Sequence, residues 1–200
     1  MRLFVAVNLP EEINTRLGAV QDQLRAAQAD VSWVRPGNVH LTLKFLGETE
    51  AGRLERIRVA LGETARGHTP FAFDLTGAGS FGGRAPRVVW VGVERGAEPL
   101  TRLAEGVEVA MAALGFPREK RAFTAHLTLG RVRSPRNAEK LLAALGEWRR
   151  ERFGSVSVGQ FDLMESQLDP RGSIYTVRQS FPLARIIHEG HVNNPGLPEP

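Results

Sequence analysis

One tetrapeptide, His-Leu-Thr-Leu, occurs twice in this chain, at 40–43 and at 126–129, 86 positions apart. The chain has five histidines. The chance that two of them would open the same Leu-Thr-Leu is on the order of 4 × 10⁻⁶, so the pair carries information. In a strand, successive side chains point to opposite faces. His40 and Thr42 then share one face, with Leu41 and Leu43 in a core. His126, Thr128 and their leucines follow the same rule. Each copy is followed by an amphipathic helical stretch and then by paired strands, which points to an internal duplication.

The remaining pattern fits such a duplication. Residues 2–9 read as a strand ended by Pro10, with Glu11 and Glu12 suited to a helix first turn. Ile13, Leu17, Val20 and Leu24 recur at helical spacing. A strand near 31–34, a turn at Pro36-Gly37-Asn38 and a strand over 39–46 follow. Leu54, Ile57 and Leu61 mark a second helix. Strands over 71–75 and 87–94 flank a glycine-rich stretch, expected to be a flexible connection at the mouth of a cleft. Residues 100–114 mark a third helix, stopped by Gly115 and Pro117. A strand over 123–132, a helix through Leu141, Leu145 and Trp148, and strands near 153–158, 160–168 and 174–181 complete the list.

Many of these strands are joined by short turns, which favours antiparallel pairing. The expected fold class is therefore α+β: two pseudo-symmetric lobes with mostly antiparallel sheets facing a central cleft, and helices outside. Residues 1–190 are expected to form a single bilobal domain. Residues 191–200, polar with three prolines, are expected to be a disordered tail.

Composition narrows the chemistry. There is no cysteine, so disulfides, thiolate metal sites and a cysteine nucleophile are excluded. Lysine occurs only at 44, 120 and 140, so the basic charge is almost all arginine. Arginine suits phosphate, although arginine richness alone speaks weakly about partners. The apolar N-terminal run is too short for a signal peptide, and no stretch approaches the ~20 apolar residues needed to span a bilayer. The expectation is a soluble, cytoplasmic protein without membrane contact.

Two motif strands facing one another bring two imidazoles and two hydroxyls around one site, the set that phosphodiester cleavage needs. One neutral histidine takes a proton from water while one protonated histidine gives a proton to the leaving oxygen. Threonine hydroxyls donate to the non-bridging phosphate oxygens. This chemistry needs no metal, and no metal-ligating spacing is evident. At these residues the chain resembles the 2H phosphoesterase superfamily, and within it the RNA 2′,3′-cyclic phosphodiesterase (2′-5′ RNA ligase) family. The resemblance extends over Leu3–Val7 with Leu9-Pro10, Trp33, His40–Glu48, Phe81 with Arg87–Gly92, His126–Arg131, and Leu163–Ser166 with Tyr175. It implies opening of a 2′,3′-cyclic phosphate at an RNA 3′ end to a 2′-phosphate, and ligation of tRNA halves through a 2′-5′ linkage. It also implies His40 as proton donor and His126 as proton acceptor, an order the residues themselves leave open. No cofactor is implied, and a monomer is expected.

Further substrate-binding candidates are Arg131, Lys44, Phe45, Phe81 and Tyr175. Arg131 has the opposite parity to His126 and Thr128, so a bulge would be needed to turn it inward as a phosphate clamp. Lys44 shares parity with His40 and Thr42 and would line their face or sit on its rim. Phe45, Phe81 and Tyr175 could stack on bases, although a single aromatic is more often core. His68, His188 and His191 lack the motif. Two other readings fit the same residues: a duplicated RNA-end-binding module without turnover, and a 2H enzyme acting on another cyclic or 2′-5′ nucleotide.

Overall fold

The computed structural model describes residues 1–169 and 172–184; the tail expected over 191–200, with His188 and His191, lies outside them. The chain runs β1 (Arg2–Asn8), α1 (Glu11–Arg25), β2 (Val31–Trp33), β3 (His40–Glu48), α2 (Leu54–Arg66), β4 (Phe71–Phe81), β5 (Val88–Val93), α3 (Ala97–Ala113), β6 (His126–Val132), α4 (Ala138–Glu147), β7 (Arg152–Val158), β8 (Gln160–Gln167) and β9 (Ile174–Pro182). The strands form two sheets, in the order β3-β1-β8-β9 and β2-β6-β5-β4-β7. Every pairing is antiparallel. No helix among the described residues is long and apolar enough to cross a membrane.

Period-2 and period-3.6 patterning place the layers. Leu3, Val5 and Val7 of β1 enter the main core. Phe4 and Ala6, on the opposite face, form a small separate cluster with Met164, against which Tyr175 packs. Ile13, Leu17, Val20 and Leu24 of α1 are buried along one stripe, as the helical period requires. Helices α2 and α3 lie against the β3-containing sheet, through β9 and β3; α1 and α4 lie against the β6-containing sheet, through β7 and β4. Each sheet thus has one helix-covered face and one helix-free face. The two motif strands β3 and β6 approach one another to within 8 Å between Cα atoms, where the two lobes meet.

The halves are not simply the lobes. After α2 the chain crosses, so that β4 joins the β6-containing sheet. After β7 it crosses back, and β8 and β9 complete the β3-containing sheet. The glycine-rich stretch also differs from the expected loop, because Gly77–Phe81 is the distal half of β4. Gly77, at φ 70°, is the extra residue of a bulge between the Thr76–Gly92 and Ala78–Val91 pairs. At Gly79 a Cβ would stand 2.7 Å from the Trp90 ring. These glycines serve a bulge and an aromatic contact, and need no flexibility.

Candidate active site

Both motif strands carry a bulge at the same repeated residue. Along β3 the partners on β1 run Asn8–His40, Ala6–Thr42, Val5–Lys44 and Phe4–Phe45, so Leu43 is the extra residue. Along β6 the partners on β5 run Gly92–His126, Trp90–Thr128, Val89–Gly130 and Val88–Arg131, so Leu129 is the extra residue. A bulge reverses the parity of everything that follows it. His40, Thr42 and Phe45 therefore lie on one helix-free face. His126, Thr128 and Arg131 lie on the other.

This register turns Arg131 to the side of His126. It also corrects the expectation for Lys44, whose simple alternation with Thr42 is broken at Leu43. Lys44 is 2% exposed and faces away from His40. Its Nζ donates to Glu108 Oε2 at 2.6 Å and to the Pro117 carbonyl at 2.9 Å. Phe45 takes the open position instead, at 56% exposure. The position after Leu129 is Gly130, where a Cβ would stand 2.6 Å from Val31 Cγ1 and 3.0 Å from Trp33. Only glycine lets β2 lie this close to the bulge.

The two imidazoles are held alike. His40 Nδ1 lies 2.8 Å from the Asn38 carbonyl; His126 Nδ1 lies 2.7 Å from the Thr124 carbonyl. A carbonyl only accepts, so each Nδ1 carries a proton, and the tautomer follows. Each Nε2 is left to accept a proton when the ring is neutral and to donate one when it is charged. The upstream carbonyls are placed locally: Asn38 ends the turn Pro36–Asn38, and its Nδ2 donates to the Ser173 carbonyl at 2.7 Å.

An aromatic ring braces each histidine edge-on. Tyr175 meets His40 at 5.2 Å and 84°, and Phe81 meets His126 at 5.1 Å and 88°. Phe4 adds a tilted contact to His40 at 4.8 Å, and Trp90 supports Phe81 at 5.3 Å. All three aromatic candidates thus stand on the helix-free faces, with Phe45 6.1 Å from Phe4. Burial holds the His40 pKa below the usual histidine value, against the opposing pull of the Asn38 carbonyl.

Several supporting residues carry no motif. Asn8, directly across from His40, has its Nδ2 held by the buried Asp162 at 2.7 Å. Gln21, fully buried in α1, donates through Nε2 to the Val34 carbonyl at 2.7 Å and the Leu129 carbonyl at 2.8 Å. It thereby grips the bulge that turns Arg131. Asn8 could have been found by extending the alternation of β1. Gln21 could have been flagged as a polar residue on the apolar stripe of α1.

An α+β fold that sets an imidazole and a hydroxyl on each of two related strands defines a two-histidine site of the phosphoesterase kind. The LigT like phosphoesterase model matches this sequence twice, over 7–90 and 91–175, once for each half. An RNA 2′,3′-cyclic phosphodiesterase of Methanothermobacter thermautotrophicus is 40% identical, the match covering 92% of this chain and 99% of the relative. One of the same name from Archaeoglobus fulgidus is 40% identical over 88% of this chain and 96% of its own length. Among solved structures, a Thermus thermophilus protein superposes with a TM-score of 0.77 at 34% identity, covering 93% of this chain and all of that one. Escherichia coli LigT complexed with 3′-AMP superposes with a TM-score of 0.73 at 28% identity, covering 92% and 98%. The chain belongs to the LigT like phosphoesterase family.

Proposed function

We propose that this protein hydrolyses the 2′,3′-cyclic phosphate at RNA 3′ ends to a 2′-phosphate. The observation that carries the reading is the matched pair of imidazoles, each with Nδ1 committed to a carbonyl two residues upstream and Nε2 left for chemistry. His126 Nε2 takes a proton from water as its oxygen attacks phosphorus. The P–O3′ bond breaks, and His40 Nε2 delivers its proton to O3′. His126 ends protonated and His40 neutral, and exchange with solvent resets both. Each proton transfer contributes roughly 10²–10⁴ in rate. Thr42 and Thr128 donate to the non-bridging oxygens as charge develops, and Arg131 clamps the same phosphate. Phe45, Phe81 and Tyr175 offer ring faces or edges to the terminal bases.

The donor and acceptor assignment rests on the family resemblance. The lowered His40 pKa bears on it in one way: in the free protein His40 is neutral over more of the pH range, so the anionic phosphate must draw its proton in on binding. No step calls on a metal ion. Ligation would be the same displacement with an RNA 5′-hydroxyl, such as that of a tRNA half, in place of water. Both half-sites lie in one chain, so a monomer suffices, acting with its RNA in the cytoplasm.

The test is incubation with an RNA ending in a 2′,3′-cyclic phosphate, in excess chelator, beside His40→Ala and His126→Ala. Wild type should form the 2′-phosphate and both variants should lose several powers of ten in rate. Retained turnover in His126→Ala would overturn the mechanism. RNA binding without turnover by wild type would point to a binding module instead.

A further inference from the structure

Lys44 is the one buried cation of the motif strands, and the proposed chemistry does not use it. Its ammonium ties three segments together. It projects from β3, immediately after the bulge that follows Thr42. It pairs with Glu108 of α3 at 2.6 Å and donates to the Pro117 carbonyl at 2.9 Å. The second carboxylate oxygen of Glu108 accepts the backbone N–H of Glu119 at 3.1 Å. The lysine side chain is 1% exposed and the glutamate 21%, so solvent screens the pair little. Arg53 fastens the adjoining turn, donating to the Leu114 carbonyl at 2.6 Å and lying 4.0 Å over the Phe116 ring.

The anchored segment leads into the second half-site. No helix or strand occupies the stretch between α3 and β6, so its path depends on such contacts. Just before β6 it passes through Thr124, whose carbonyl holds His126 Nδ1. The strand bearing His40 thus grips, from its rear face, the connection that delivers His126. We propose that Lys44 and Glu108 are positioning residues that set the His126 half-site relative to the His40 half-site. This inference rests on the two-histidine reading above. A displacement of about 1 Å in such a pair can cost ~10²-fold in rate without removing any reacting group.

The experiment compares Lys44→Met, Glu108→Gln and the double variant Lys44→Met/Glu108→Leu. Turnover is measured on the cyclic-phosphate RNA, together with thermal unfolding and histidine-labelled NMR of the protein without RNA. Replacing both members of a buried pair by apolar residues is often neutral or stabilising, so the double variant separates placement from stability. The expected result is a melting temperature near wild type in the double variant, with kcat down about 10- to 100-fold, KM within about threefold, and His126 ring signals shifted more than those of His40. Glu108→Gln, which keeps the volume but cannot accept from both Lys44 and Glu119, should show a smaller fall of the same kind. Wild-type kcat and unmoved His126 signals in a folded double variant would overturn the proposal. If wild type itself fails to turn over, the functional reading falls, while the His126 signals still report whether the clamp positions that ring.

Discussion

Gln21→Met isolates the grip of α1 on the β6 bulge. Methionine keeps the length and unbranched shape of glutamine but cannot donate. Two hydrogen bonds are lost, at 2.7 and 2.8 Å, each worth about 1 kcal/mol net. The Leu129 carbonyl keeps the bond it accepts from the Val34 N–H at 2.8 Å, so the larger penalty falls on the Val34 carbonyl. That carbonyl is only part-buried, so leaving it without a partner costs toward the low end of the ~1–3 kcal/mol of a fully buried orphan. Part of this is offset, because Gln21 Oε1 is itself buried without a partner, and methionine removes it. The expected net loss is about 1–2 kcal/mol, or a melting temperature lower by about 2–8 °C for a chain of this size. Thermal unfolding by circular dichroism reads it. The same change should raise KM for the cyclic-phosphate RNA, because the bulge sets the direction of Arg131. An unchanged melting temperature and KM would refute the claim that the buried amide holds the bulge.

Burial lowers the His40 pKa, so the unfolded chain takes up that proton first. The His40 contribution to stability is therefore complete above the unfolded histidine value of about 6.5 and declines as pH falls through it. His40→Gln should flatten the loss of stability between about pH 7 and pH 5, and in wild type, phosphate should move the His40 NMR titration upward; a titration indifferent to phosphate would contradict the proposed contact. Arg131→Lys keeps the charge but loses the two-pronged donor, so kcat/KM should fall about tenfold, equivalent to ~1.4 kcal/mol, with the His126 signals in place; unchanged kinetics would remove Arg131 from the phosphate site.

What could be read from the linear chain was whatever depends on local period and composition. Alternation around His40 and His126 established that each shares a face with a threonine, because strand geometry requires it. The duplication and the α+β class followed from the repeat and the short connections. The α1 stripe followed from 3.6-residue spacing. What lay beyond the sequence depends on partners distant along the chain. A bulge is defined by the neighbouring strand, so neither the turning of Lys44 into the interior nor the turning of Arg131 toward His126 can be counted from one strand alone. The same holds for Gly77–Phe81, whose glycines suggest a loop until Trp90 is placed over Gly79. The exchange of β4 and β8 between sheets depends on which edge the chain finds, after α2 in one case and directly after β7 in the other. Local sterics and polarity choose the elements, but register and crossing are settled by pairing and burial between segments up to about 160 residues apart, such as β1 and β8.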